Sequence, residues 1–106
     1  HTQLTIDNPR HGQRNSFKHK VDVTKWHVYG IEWTPEYVKW LVDDETVGIY
    51  YKSPDKEMLQ KHQWTFDDRF FILMNQSVGN GVHDMKQDIT KTYETQFDWI
   101  RVYQKQ

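Results

Sequence analysis

Residues 26–51 read WHVYGIEWTPEYVKWLVDDETVGIYY. Aromatic and β-branched residues crowd 26–33, 37–42 and 46–51, and short polar segments interrupt them. Such residues suit the pleated, half-buried surface of a strand. Thr34-Pro35-Glu36 separates the first two runs and Asp43-Asp44-Glu45 the last two, both turn-forming sequences. The stretch therefore predicts two consecutive antiparallel hairpins.

The same pattern extends outward. Residues 69–78 (RFFILMNQSV) form a longer run, apolar first and polar later, before an Asn80-Gly81 loop. Residues 96–103 (QFDWIRVY) read as a final strand, and 1–6 and 17–23 as weaker ones. Residues 8–16, with Pro9 and Gly12, read as a loop. One short helix is expected over 54–61, with Ser53 as its cap and Pro54 at its first position. About seven short strands joined by turns predict an all-β sandwich or barrel with antiparallel sheets. Such sandwiches often need ~200–250 residues, and this chain has 106. The expectation is a partial sandwich that opens, at His1, in the middle of a strand. Its open edges would pair with a missing half or, by strand exchange, with a second copy.

Composition narrows the function. Lys plus Arg total 14 against 15 Asp plus Glu, a net charge of -1. That balance argues against nucleic acid or an anionic membrane as partner. No Cys is present, so there is no disulfide framework and no thiolate metal site. No apolar run approaches the ~20 residues of a membrane span. Six His residues occur without an HExxH motif, which argues against a zinc site. Aromatics make up 15% of residues and must cover a core, a ligand surface or both.

Four segments carry a family resemblance. Residues 26–43 (WHVYGIEWTPEYVKWLVD) resemble the F-H-x-Y-x-x-x-W-x-P-x-x-I-x-W-Y-V-D-G hairpin of family 16 glycoside hydrolases. Trp64-Thr65-Phe66-Asp67 resembles that family's W-P-F-D loop, and residues 70–79 (FFILMNQSVG) its F-x-L-I-L-N-x-A-V-G-G strand. Residues 97–103 (FDWIRVY) resemble its terminal V-D-Y-V-R-V-Y strand. The four follow the family's order and cover nearly the whole chain. Asp44 and Asn80 depart from it, standing where the family usually has Gly.

The resemblance implies a concanavalin-like jelly roll whose concave face holds a sugar cleft. It also implies a retaining mechanism run by two carboxylates, set on one strand as E-x-D-x-E or E-x-D-x-x-E. The chemistry needs the two about 5–5.5 Å apart, and residues i and i+2 of a strand share a face. No such triplet occurs here: Glu32 and Glu36 flank a turn, Asp43-Asp44-Glu45 sits in a hairpin loop, and Asp84 and Asp88 lie in a polar stretch. In the family the triplet precedes the region that 1–5 resembles. The chain thus reads as the C-terminal part of a single jelly-roll domain, with the catalytic strand in an absent N-terminal half and no activity of its own.

Site residues follow from the same two sources. Asn75 interrupts the apolar run 70–74, where a polar group is costly unless satisfied. The resemblance turns it toward the sugar cleft, with Ser77 sharing its face at i+2 and with Phe71 and Leu73 before it. Asn75-Gln76-Ser77 is also a glycosylation sequon, but a cleft-facing strand is a poor acceptor. Gln3 stands where the family places a polar cleft residue, and His1 and Thr5 share its face by alternation. Trp64 is expected either to stack on a sugar ring or to pack internally. Trp26, Trp33, Trp40 and Trp99 are expected in the core. Asp98 matches the position that binds a structural calcium in many members; no other cofactor is required. The substrate expected is a β-1,3- or mixed-linkage glucan or a related polysaccharide, and the location secreted or periplasmic. Two rival readings are a non-catalytic carbohydrate-binding jelly roll that has lost the triplet, and a plain interaction domain.

Overall fold

A computed structural model describes residues 17–76, 88 and 90–105. The chain divides into two compact units, His1–Phe70 and Phe71–Gln106. In the first, among the described residues, three strands form one antiparallel sheet of order β1-β2-β3: β1 Tyr29–Trp33, β2 Tyr37–Val42 and β3 Glu45–Tyr51. One five-residue helix, α1 Lys56–Gln60, follows.

Both predicted hairpins are present. The first turn is tied by Thr34, whose N–H donates to the Tyr37 carbonyl and whose Oγ1 accepts from the N–H groups of Glu36 and Tyr37. The second is a two-residue loop with φ of 49° at Asp43 and 65° at Asp44. Positive φ at both central positions is the type I′ geometry whose twist matches flanking strands. Asp tolerates this region better than most residues, so the absence of Gly at 44 leaves the turn intact. β1 begins three residues later than the sequence suggests. Val28 bonds instead to the turn: its N–H donates to Asp43 Oδ1 and its carbonyl accepts from Asp43 N–H.

Register places Trp33, Val38 and Tyr50 across one face of the sheet, with Ile31, Trp40 and Gly48 beside them. A bulge between Trp40 and Leu41 pairs these with Gly48 and Thr46 and leaves Val47 unmatched. Gly48 has a steric reason: a Cβ there would overlap the Phe17 ring, which also packs on Trp40 at 5.4 Å.

On this face sits the core of Val38, Tyr50 and Trp64, flanked by Trp40, Leu59 and Phe66. The Tyr50 and Trp64 rings lie parallel, 4° apart in orientation, and Phe66 meets both edge-on. Gln63, 0% exposed, ties the helix exit to the sheet end. Its side chain donates to the Tyr51 carbonyl and accepts from Ser53 N–H, while its carbonyl accepts from the Tyr50 hydroxyl at 2.7 Å. Tyr50→Phe should therefore cost about 1–3 kcal/mol, because the buried Gln63 carbonyl loses that donor. A lower urea midpoint at unchanged m-value reads it out; an unchanged midpoint refutes the clamp.

Several expectations need correction. The helix cap is Asp55 rather than Ser53: Asp55 Oδ1 accepts from Glu57 N–H, and the Ser53 hydroxyl instead accepts from Asp55 N–H. The described residues of 17–23, 69–78 and 96–103 are not strands. A strand exists by pairing with a neighbour, and no ladder partner for them occurs among the described residues. At 22–25 the Asp22 side chain bends the chain, accepting from both N–H and Oγ1 of Thr24. Trp26, Trp33 and Trp99 are exposed rather than core, Trp26 at 66%; Trp40 alone of the four is half-buried. No second sheet lies over them among the described residues.

In the second unit, Asp88 organises a turn by accepting from Thr90 N–H and Oγ1. Its own N–H donates to the Tyr93 hydroxyl. The Arg101 guanidinium lies over the Trp99 ring at 4.7 Å.

Candidate functional site

Three places in the first unit bring chemical groups together. The first is a groove of 360 Å³ at one end of the sheet. Trp33, Pro35 and Phe66 form its apolar wall, and Thr34, Lys52, Asp67 and Asp68 its polar rim. The Trp33 indole N–H donates to the Phe66 carbonyl at 2.8 Å, joining the strand to the loop. Lys52 N–H donates to the Glu36 carbonyl at 2.8 Å, fixing the rim to the first turn. The volume lies at the small end of ligand sites, roughly 300–1,000 Å³.

The second is a latch at the β2–β3 turn. His27 Nδ1 lies 2.6 Å from Asp43 Oδ2, and Nε2 lies 2.7 Å from the Asp22 carbonyl. Both ring nitrogens face acceptors, so the doubly protonated ring satisfies both. The Asp43 bond, then the Asp22 carbonyl, raise the His27 pKa above its usual 6.5. The Val28 N–H, then His27, lower the Asp43 pKa below 3.8. The His27 contribution to stability is accordingly complete below about pH 6.5 and lost as pH rises through the higher folded value. Asp43 works in the other sense, its contribution present above 3.8 and lost as pH falls through the folded value. The stability gap between the native chain and His27→Ala should shrink on raising pH from about 6 to about 9. Equal gaps at both ends would remove the protonated latch.

The third is Glu32, opposite Lys39 in register. Its carboxylate takes the Lys39 ammonium at 2.5 Å and the Tyr37 hydroxyl at 2.8 Å. That bond to Glu32 raises the pKa of Lys39 and of Tyr37 alike. The Glu32 carboxylate thereby ties β1 to two side chains of β2.

Of the residues singled out from sequence, Trp64 belongs to the first unit and Asn75 and Asp98 to the second. His1, Gln3, Thr5 and Ser77 lie outside the described residues. Asn75 is exposed in the second unit, as are Phe71 and Leu73, and none of them sits on a strand that would set a common face. Trp64 takes the second of its two expected roles and packs internally: it is 6% exposed, with the Tyr50 ring parallel to it and Phe66 edge-on. Asp98 is exposed. No group of three His, Cys, Asp or Glu side chains able to hold a metal occurs among the described residues. Sequence reasoning missed the groove and the Gln63 clamp. The groove had a signal in the adjacency of Thr34-Pro35 and the W-T-F-D loop; a buried Gln after a helix had none.

Comparison with known proteins matches the sequence model of "Glycosyl hydrolases family 16" to residues 4–101. A "Beta-glucanase" of Rhodothermus marinus is 35% identical over 86 residues, covering 76% of this chain and 29% of that protein. A "Glucan endo-1,3-beta-glucosidase" of Cryptopygus antarcticus is 33% identical over 63 residues, 51% of this chain and 21% of that protein. A "Glucan endo-1,3-beta-glucosidase A1" of Niallia circulans is 30% identical over 90 residues, 76% of this chain and 12% of that protein. The chain spans less than a third of the length of these curated relatives. No solved structure matches it.

Proposed function

The chain belongs to glycosyl hydrolase family 16, an all-β jelly-roll family, and from that premise we propose that it is part of a retaining endo-β-glycan hydrolase. The observation that carries this is the ordered match over 4–101. Relatives named as glucanases support β-1,3- or mixed-linkage glucan as the substrate. A retaining hydrolase needs a nucleophile and an acid/base, and no carboxylate triplet occurs in this chain. Its share of the work is binding. The Asn75 amide can both donate to and accept from sugar hydroxyls, and Ser77, Gln3 and His1 are the further substrate-binding residues of this reading. The rest of the domain brings the carboxylates. A structural calcium at Asp98 would draw its other oxygens from there as well. Endo-hydrolysis of a polymer suits a secreted or periplasmic enzyme. Among the described residues no helix is long and apolar enough to cross a membrane.

A chimera tests the assignment. Residues 4–101 replace the matching segment of the Rhodothermus marinus β-glucanase, and hydrolysis of laminarin and lichenan is measured. Activity should survive, and Asn75→Ala within the chimera should lower kcat/KM by about tenfold or more, the worth of one or two sugar hydrogen bonds. A folded chimera without turnover would refute the hydrolase reading and favour a carbohydrate-binding jelly roll that lost its triplet.

A further inference from the structure

The His27 latch has two ends, and they are unequal. Nδ1 faces the Asp43 Oδ2 carboxylate oxygen at 2.6 Å and Nε2 the Asp22 carbonyl at 2.7 Å. Behind each end stands a turn that is closed without His27. Asp22 Oδ1 accepts from Thr24 N–H and Oγ1, and its carbonyl accepts from Lys25 N–H at 3.2 Å, so residues 22–25 hold their own shape. Asp43 Oδ1 accepts from Val28 N–H, and Asp43 N–H donates to the Val28 carbonyl, which fixes the other turn to the residue before β1. Among the described residues, no other hydrogen bond or ion pair ties 22–25 to the sheet. Four titratable groups surround the latch. Asp43 comes from the β2–β3 turn and Asp22 from the segment that the latch holds. Tyr29 of β1 meets the ring edge-on at 6.4 Å, and His19 bears on Asp43 rather than on His27. A protonated imidazole donates at both ends, a neutral one at one end only. The Asp43 carboxylate is the stronger acceptor and keeps that proton. Nε2 then turns a lone pair on the Asp22 carbonyl, and two acceptors at 2.7 Å repel.

We propose that His27 is a pH-operated latch on residues 18–26: protonated, it clamps the 22–25 turn to the β2–β3 turn, and on losing its proton it lets go of the Asp22 carbonyl while the sheet stays closed. Phe17, packed on Trp40 at 5.4 Å and over Gly48, holds the far end, so the released segment becomes a loop tethered at both ends. The sheet is untouched because the bonds between Asp43 and Val28 do not pass through the ring. Acidic solution fastens the segment and alkaline solution frees it, in the sense set by the raised His27 pKa. The device stands on the latch geometry and not on the hydrolase reading.

Trypsin reads the release, because Lys18, Lys20 and Lys25 lie in the segment and are exposed. The initial rate of cleavage after Lys25 in the full 106-residue chain is measured from about pH 6 to about pH 9. Division by the rate for a synthetic peptide of residues 18–33 removes trypsin's own pH profile. The ratio should rise about tenfold, the worth of one hydrogen bond to a charged group, while cleavage after Lys39, within β2, stays slow. His27→Gln removes the titration and should be cut after Lys25, at both ends of the range, as fast as the native chain is at the alkaline limit. Asp43→Asn keeps an oxygen for Val28 N–H and tolerates the positive φ of the turn, but removes the charge that holds the proton. Its midpoint should fall toward the ordinary His value of 6.5. A ratio that does not change with pH would overturn the proposal, as would an equal rise after Lys39, which would mean that the whole sheet opens. An unshifted midpoint in Asp43→Asn would overturn it too, leaving His27 a merely structural residue. Should His27→Gln unfold, seen as rapid cleavage after Lys39 at every pH, Asp43→Asn alone decides. The chimera's turnover is independent of every one of these outcomes.

Discussion

Purified alone, the 106-residue chain is expected to release no reducing sugar from laminarin or lichenan above a buffer blank. Retaining hydrolysis needs one carboxyl kept protonated near neutral pH and a second, ionised one about 5–5.5 Å away. An acid of that kind has a raised pKa. Among the described residues, each Asp whose pKa departs from its usual value departs downward: Asp22 and Asp88 through bonds from Thr24 and Thr90, Asp43 through Val28 and His27. Glu32 is taken by Lys39 and Tyr37. General acid catalysis alone contributes about 10²–10⁴-fold and covalent capture comes on top, so the expected loss against the chimera is complete on the scale of an ordinary assay. Turnover that rises with chain concentration and survives repurification would overturn this.

The central hairpins were legible because everything that makes them is local. Thr34 closes its turn through the next three residues, and Asp43 and Asp44 need only their own φ values and the reach to Val28. The helix was legible to within two residues for the same reason, Ser53 and Asp55 competing as caps over a span of three. Residues 69–78 and 96–103 have equally good strand composition, yet their described parts carry no ladder. Composition states a willingness to pair; only a neighbour makes a strand. The tryptophans make the same point for burial. Trp33 has the strand pattern and stands exposed, whereas Trp64 sits in a loop and is buried because Tyr50, in register with Val38, lies beneath it. Alternation shows which residues share a face and not which face acquires a cover. The proposed cleft residues were legible only through family resemblance, since an amide on a strand looks alike whether it meets a sugar or a backbone carbonyl.

That uncovered face sets the second large effect. By light scattering the isolated chain should run as species well above its 13.0 kDa mass. Within the sheet, β1 has β2 on one side and no strand on the other among the described residues. Its Tyr29, Ile31 and Trp33 share one face and all are exposed, Ile31 at 68%. An unpaired edge with exposed apolar side chains is a template for another strand. In the second unit, Phe71, Ile72, Leu73 and Met74 form an exposed apolar run without Pro or charge, the kind of segment that stacks with copies of itself. A net charge of -1 provides little repulsion against either route. Ile31→Lys and Leu73→Lys separate them. Each places a charge at an exposed position, so neither should unfold the chain, and a Lys on an edge strand blocks strand addition. The variant that shifts the population toward 13.0 kDa identifies the segment responsible. A single 13.0 kDa native species at concentrations on the order of tens of micromolar, where exposed strands ordinarily aggregate, would mean that the sheet finds its cover within the chain itself.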